Sequence, residues 1–210
     1  MGNTGWRSAV KQEARMRIKG HIGKLFVVSL VYGAIRLVLT SQNTPPWEDT
    51  FLWFPAIPLD LVGMLLLNPP LLLGLTYVYL DTHQGQPIKV RTLFDGFSDF
   101  GRVVWFNLLL SVYLILWSLL CVVPGIIKAI SYSQSYFLMA ERPELRGSAA
   151  ITESRRLMQG HKWEYFVFQL SFLPWWLLVA VTCGIAGIYV FPYYETALAG
   201  YYRRLVDSAS

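Results

Sequence analysis

Charge is the scarcest ingredient of this chain. Asp, Glu, Lys and Arg make up 15% of its 210 residues and hydrophobic residues 54%, where soluble domains carry about 25% charge. With a mean hydropathy of +0.41, too little polar side chain remains to cover a soluble surface of this length. Cysteine is almost missing as well. Cys121 and Cys183 form no C-x-x-C and no ligand spacing, which argues against zinc or redox chemistry. The chain has no G-x-S-x-G, P-loop or H-E-x-x-H, and no Ser, His and Asp set shares a membrane level, so catalysis has little support. No cofactor is implied.

What is present is a series of long apolar runs. A membrane span needs roughly 20 mainly apolar residues, and such stretches occur at about 22–40, 59–80, 103–123, 126–140, 163–182 and 184–202. They predict an all-α fold, a polytopic membrane bundle of about six transmembrane helices arranged as hairpins, in a single domain over 1–210. The first run contains Arg36, exceeds a signal-peptide h-region and precedes no small-x-small cleavage site, so it reads as a retained span. Pro124-Gly125 marks a turn between the third and fourth spans. Asn68-Pro69-Pro70 interrupts the second. That interruption is either a plain kink or a broken helix that binds a solute.

The segments between the runs are short and amphipathic. In residues 1–21, Arg7, Lys11, Arg15, Arg17 and Lys19 accompany Trp6, Val10, Ala14 and Ile18 at four-residue spacing, the pattern of a basic helix lying on the membrane surface. Leu93-Phe94-Asp95-Gly96-Phe97 and Phe100 predict an elbow in the headgroup layer. Ser148 is a candidate N-cap for a helix reaching Gln159, with Ala150, Ile151, Ser154, Leu157 and Met158 on its apolar side and Arg155 and Arg156 toward headgroups.

Orientation follows from the cations. With the N-terminus inside, segments 1–21, 81–102, 141–163 and 203–210 hold five, three, five and two Lys or Arg, 15 of the 18, and the outer connections hold none. This positive-inside asymmetry places both termini in the cytoplasm. It also accounts for the net charge of +5 without nucleic acid.

Polar groups inside the runs are the candidate sites. Arg36, Asp60 and Lys128 fall within about 5 to 8 Å of the outer edge at about 1.5 Å per residue; they form either an external binding site or an ion pair locking three helices. An inner level holds Asn107, Ser135, Tyr136, Gln169 and Glu195. Glu195 is either a proton relay or a neutral, hydrogen-bonded tie between helices. Lys128, Ser131, Tyr132, Ser135 and Met139 form one stripe of the fourth span. Gly160, His161, Lys162 and Trp163 read as a seat for the fifth helix at headgroup level. His21, His83 and His161 lack the spacing of a ligand set, so no metal is expected. Cys121 and Cys183 share an outer level, as a disulfide or as two small buried hydrophobes. Shifting Phe106 to Tyr136 by 62 positions, 168 minus 106, aligns Phe106, Leu108, Leu116, Cys121, Gly125, Ile126 and Tyr132 with identical residues, a faint internal repeat.

Several motifs together resemble a bacterial integral-membrane family, domain of unknown function 975. They are Lys11-x-x-Ala14-Arg15, Leu93-Phe94-x-Gly96-Phe97, Pro124-Gly125-Ile126-Ile127-Lys128-Ala129, Tyr132-Ser133-x-x-Tyr136 and, most specifically, Ala150-Ile151-x-x-Ser154-x-x-Leu157-Met158-x-Gly160-His161-Lys162-Trp163. Leu170-Ser171-Phe172, Gly184-Ile185 and Pro192-Tyr193 follow. The resemblance implies a six-helix membrane protein, distantly similar to the membrane domains attached to some glycerophosphodiester phosphodiesterases, and brings no known active site. The expected function is a non-enzymatic accessory or scaffold of the bacterial cytoplasmic membrane. Its expected partners are membrane lipids, other membrane proteins or a second copy of itself. The alternative is a small transporter of solutes, lipids or peptides using Lys128 and Glu195.

Overall fold

The computed structural model describes residues 5–40, 63, 65–120, 122–182 and 184–209. Among them every regular element is a helix: α1 Gly5–Ile18, α2 Ile22–Thr40, α3 Asn68–Gln84, α4 Thr92–Asp95, α5 Phe100–Leu120, α6 Val122–Tyr132, α7 Ser135–Glu141, α8 Ser148–Leu157, α9 Lys162–Leu170, α10 Leu173–Val181 and α11 Gly187–Ala209. The all-α expectation is met. Two helical stretches, Phe100–Leu119 and Lys162–Val181, are long and apolar enough on their own to cross a membrane, and α1 with α2 supplies a third if that bent pair is taken as one span. The expectation of six separate spans is therefore met only in part.

Interruptions explain the difference. The fourth run breaks at Ser133-Gln134, where the Ser133 hydroxyl donates to the Ile130 carbonyl at 2.8 Å and the Gln134 amide donates to the Ser133 oxygen at 2.9 Å. Short polar side chains of this kind compete with the helical ladder. The fifth run is interrupted at Ser171-Phe172, just ahead of Pro174 in the first turn of α10, and still counts as one spanning stretch over Lys162–Val181. At the prolines of the second run a helix starts, after a turn at Leu67. Leu67 N–H bonds the Gly63 carbonyl at 2.9 Å, and Pro69 and Pro70 occupy the first turn of α3, where a missing N–H costs nothing. Pro124 and Gly125 likewise lie inside α6 rather than in a turn. A Cβ on Gly125 would come within 3.0 Å of Ser118 Oγ, so this glycine lets α6 close onto α5.

The core is built around α3 and α11. α3 buries Leu71, Leu73, Leu75, Val78, Tyr79 and Leu80, and α11 buries Val190, Tyr193, Ala197, Ala199, Tyr201, Tyr202 and Leu205. A helix apolar on all sides is one surrounded by others. α1 has the amphipathic pattern read from the sequence, but its Val10, Ala14 and Ile18 stripe is buried in protein. It runs antiparallel along α11: Trp6 meets Tyr201 at 5.6 Å, and Arg15 sits 5.6 Å from the Tyr193 ring. α2 leaves α1 at 93°, through Gly20 at φ +87°. α8 also turns its apolar side inward, burying Ala150, Ile151, Ser154 and Met158; its cap position is Gly147 at φ +53°, with Ser148 the first helical residue.

Outward, the long helices are bare. Only 11% of the Phe100–Leu119 window and 17% of the Lys162–Val181 window is buried. The elbow α4 closes onto α3 through glycine: a Cβ on Gly74 would overlap the Leu93 carbonyl, and one on Gly96 the Pro70 carbonyl. Gly74→Ala should therefore lower stability by about 2–3 kcal/mol. Gly101→Ala, with nothing within 4 Å, should leave stability unchanged or raise it by up to about 1 kcal/mol. Thermal unfolding of the detergent-solubilised protein distinguishes the two.

Candidate functional site

The polar stripe of the fourth run faces protein. Ser131 is 1% exposed, Tyr132 5%, Ser135 0% and Met139 0%. The Ser131 hydroxyl donates to the Ile127 carbonyl at 2.8 Å, and Ser154 of α8 donates to the Ser131 carbonyl at 2.8 Å. Because the helix breaks at Ser133, Ser135 and Met139 belong to α7, and the stripe is continued by packing rather than by one helix. Among the described residues, Ser135 Oγ has no hydrogen-bond partner.

Lys128 stands at the top of this stripe, its ammonium 4.2 Å from the centre of the Trp117 ring. Arg155 and Lys162 lie close enough to repel it electrostatically. The sequence put Lys128 at the outer level with Arg36 and the other two cations on the cytoplasmic side; here Arg155 and Lys162 lie within electrostatic reach of Lys128, because α6 is a short arm packed against α8 and α9. Arg36 belongs elsewhere, beside the Tyr32 hydroxyl one turn back on α2, which itself donates to Asn68 Oδ1 at 3.2 Å. Asp60 lies outside the described residues, as do Cys121 and Cys183. Lys128, Arg155 and Lys162 thus converge from three helices, and no carboxylate pairs with them among the described residues.

The inner set separates into two groups. Tyr136 donates to Asn107 Oδ1 at 2.8 Å, joining α7 to α5. Gln169 accepts from Tyr194 at 2.7 Å and donates to Tyr165 at 2.8 Å, joining α9 to α11. Glu195 follows Tyr194 and is partly buried. It makes no hydrogen bond or ion pair among the described residues. Its carboxylate lies within electrostatic reach of Tyr32, Tyr79, Tyr165 and Tyr194, from four helices. Sequence reasoning missed this tyrosine surround. Its one signal was the count of 12 tyrosines, since buried Tyr hydroxyls find partners at helix contacts: Tyr79 pairs with Ser29 at 2.9 Å.

The α8–α9 junction is shaped by Gly160, at φ +86°. His161 Nδ1 lies 3.2 Å from Glu164, its carbonyl accepts from Tyr201 at 3.4 Å, and Trp163 is 72% exposed. His21 sits at the α1–α2 bend and His83 ends α3 beside Glu13 at 3.6 Å, so the three histidines are scattered. Among the described residues no three His, Cys, Asp or Glu side chains are grouped to hold a metal. Among the described residues, cavities open at the surface, three of them of about 390 Å³ by Arg142, Glu153 and Arg156, about 220 Å³ between α2 and α11 and about 420 Å³ at the α1–α2 elbow. None of these three touches Lys128, Tyr132, Ser135 or Glu195.

The family described as protein of unknown function (DUF975) matches residues 119–209. No curated protein and no solved structure matches the chain.

Two predictions test the polar framework. Lys11 Nζ donates to the Ser171 carbonyl at 2.9 Å, at the α9–α10 break and 4.3 Å from the Phe172 ring. Lys11→Met should cost about 1–3 kcal/mol in thermal unfolding, the penalty of an orphaned carbonyl. Burial holds the His83 imidazole below its ordinary range, against the opposing pull of Glu13. A group that binds its proton more readily when unfolded supports the fold above about pH 6.5 and withdraws that support as pH falls below it. The melting temperature should therefore drop on acidification to about pH 5.5, and His83→Gln should flatten that dependence.

Proposed function

We propose that this chain, a member of that family through residues 119–209, is a multi-pass membrane protein acting without catalysis. It serves as an accessory or scaffold component of the bacterial cytoplasmic membrane, holding lipids and partner proteins around a packed helical bundle. The observation that carries this reading is the inversion of polarity. Leu173, Leu177 and Val181 of α10 and Ile115, Leu116 and Leu119 of α5 are exposed, while Ser131, Ser135, Gln134 and Thr196 are buried. Monomeric soluble proteins rarely expose contiguous apolar patches above a few hundred Å², and lipid is the solvent that suits such a surface. The cation asymmetry favours six spans with both termini cytoplasmic. Lys128, Arg155 and Lys162, beside exposed Trp163, suit anionic headgroups or the carboxylates of a partner.

The second reading is transport, and one observation favours it: among the described residues Glu195 makes no hydrogen bond or ion pair, though tyrosines from four helices surround it. A packed interior weighs against it, because Tyr136, Asn107, Tyr165, Gln169 and Tyr194 are already satisfied by one another.

Mass spectrometry of material co-purifying in mild detergent tests the two. The accessory reading expects a stoichiometric protein partner or lipid, retained equally by Glu195→Gln, and a protein that alkaline carbonate leaves in the membrane pellet. A retained soluble solute, with a liposome flux that Glu195→Gln abolishes without unfolding the protein, would overturn it in favour of transport.

A further inference from the structure

The α1–α2 elbow is built unlike the rest of the surface. Gly20 at φ +87° and the 93° bend hold α1 and α2 apart, leaving a cavity of about 420 Å³ whose lining includes Arg15, Met16, Lys19, Ile22 and Tyr189. The walls are mainly apolar, and two cations stand among them. The Arg15 guanidinium is already held in place, 5.5 Å from the Trp175 ring and 5.6 Å from the Tyr193 ring. Neither Arg15 nor Lys19 is paired with a carboxylate among the described residues. Glu13, the one acidic residue of α1, is taken up by Arg17 and His83, each at 3.6 Å.

One helical turn along α2 from Ile22, a second cavity of about 220 Å³ opens between Phe26 and Leu30 on one side and Ile188 and Phe191 on the other. Gly187 keeps it open, since a Cβ there would meet the Phe191 ring at 2.8 Å. Leu30, Ile188 and Phe191 are exposed. A soluble anion has no use for this trough, and a neutral lipid has none for the two cations. An amphiphile with a negative head fits both.

We propose that the elbow binds an anionic phospholipid, its phosphate between Arg15 and Lys19 and an acyl chain in the α2–α11 trough. This rests on the membrane-resident reading above and names the lipid class. Each Lys or Arg near an anionic membrane surface contributes about 1 kcal/mol, or about fivefold in affinity.

The test is native mass spectrometry of the full chain after incubation with phosphatidylglycerol or phosphatidylcholine, with fold checked by gel filtration and melting. Phosphatidylglycerol should be retained at least about tenfold over phosphatidylcholine, and Lys19→Gln should reduce that retention about fivefold. The charge-preserving pair Arg15→Lys with Lys19→Arg should keep it, and Leu30→Trp should lower retention by filling the trough. Excess inorganic phosphate should not displace the lipid. Equal retention of both lipids, indifference to Lys19→Gln, or displacement by phosphate would overturn the proposal while leaving the membrane reading intact. Failure of the protein to incorporate into phosphatidylglycerol vesicles at all would instead overturn the membrane reading.

Discussion

Every interruption of a helix in an apolar surround leaves backbone carbonyls that must find a donor, and that constraint organises this protein. Water is scarce at such sites, and an unsatisfied group costs several kcal/mol in a hydrocarbon environment. Three polar side chains from the covering elements supply donors. Lys11 of α1 reaches Ser171 at the α9–α10 break. Ser154 of α8 reaches Ser131 just before the α6–α7 break. Arg102 of α5 reaches the Leu145 carbonyl, at 3.3 Å, after α7 ends. The amphipathic helices are thus structural members of the bundle, and their inward polar residues are what permits the apolar helices to bend.

The bends in turn make the packing. With α6 and α7 free to change direction, Tyr132 and Met139 enter the same cluster as Leu73, Val103, Phe106, Ala150 and Ile151. With α9 and α10 bent, Phe168 and Phe172 stack into the α1–α11 seam against Trp6, Tyr193 and Tyr201. Cations of α1 lie on these rings, as Lys11 does on Phe172, so basic residues that suggested a membrane surface are partly absorbed by aromatic ones. Among the described residues, Arg15 and Lys19 at the elbow and Lys128, Arg155 and Lys162 around the start of α9 belong to the cations without a carboxylate partner, and Arg15 and Lys128 rest on aromatic rings instead.

Helical class and the apolar stripes of α1 and α8 were legible in the sequence because each is a matter of local periodicity, although the stripes were read as facing the membrane surface and not protein. Val10, Ala14 and Ile18 recur every four residues, and all three are buried. The helix breaks were not legible, since apolar periodicity continues across Ser133 and Ser171 and the competing hydrogen bonds depend on three-dimensional partners. Pro69 and Pro70 were legible as an interruption, and the structure makes it the start of α3. The tyrosines around Glu195 come from four helices, and no spacing along the chain could have grouped them.

Hydrogen–deuterium exchange of the protein in lipid nanodiscs addresses the central claim most directly, that the breaks are capped and dry rather than lining a water path. Amides at 130–135 and 168–172 should then be as protected as those of α3, despite lying at helix interruptions. Exchange of these segments within seconds, with α3 still protected, would contradict the account and point to an aqueous route through the bundle.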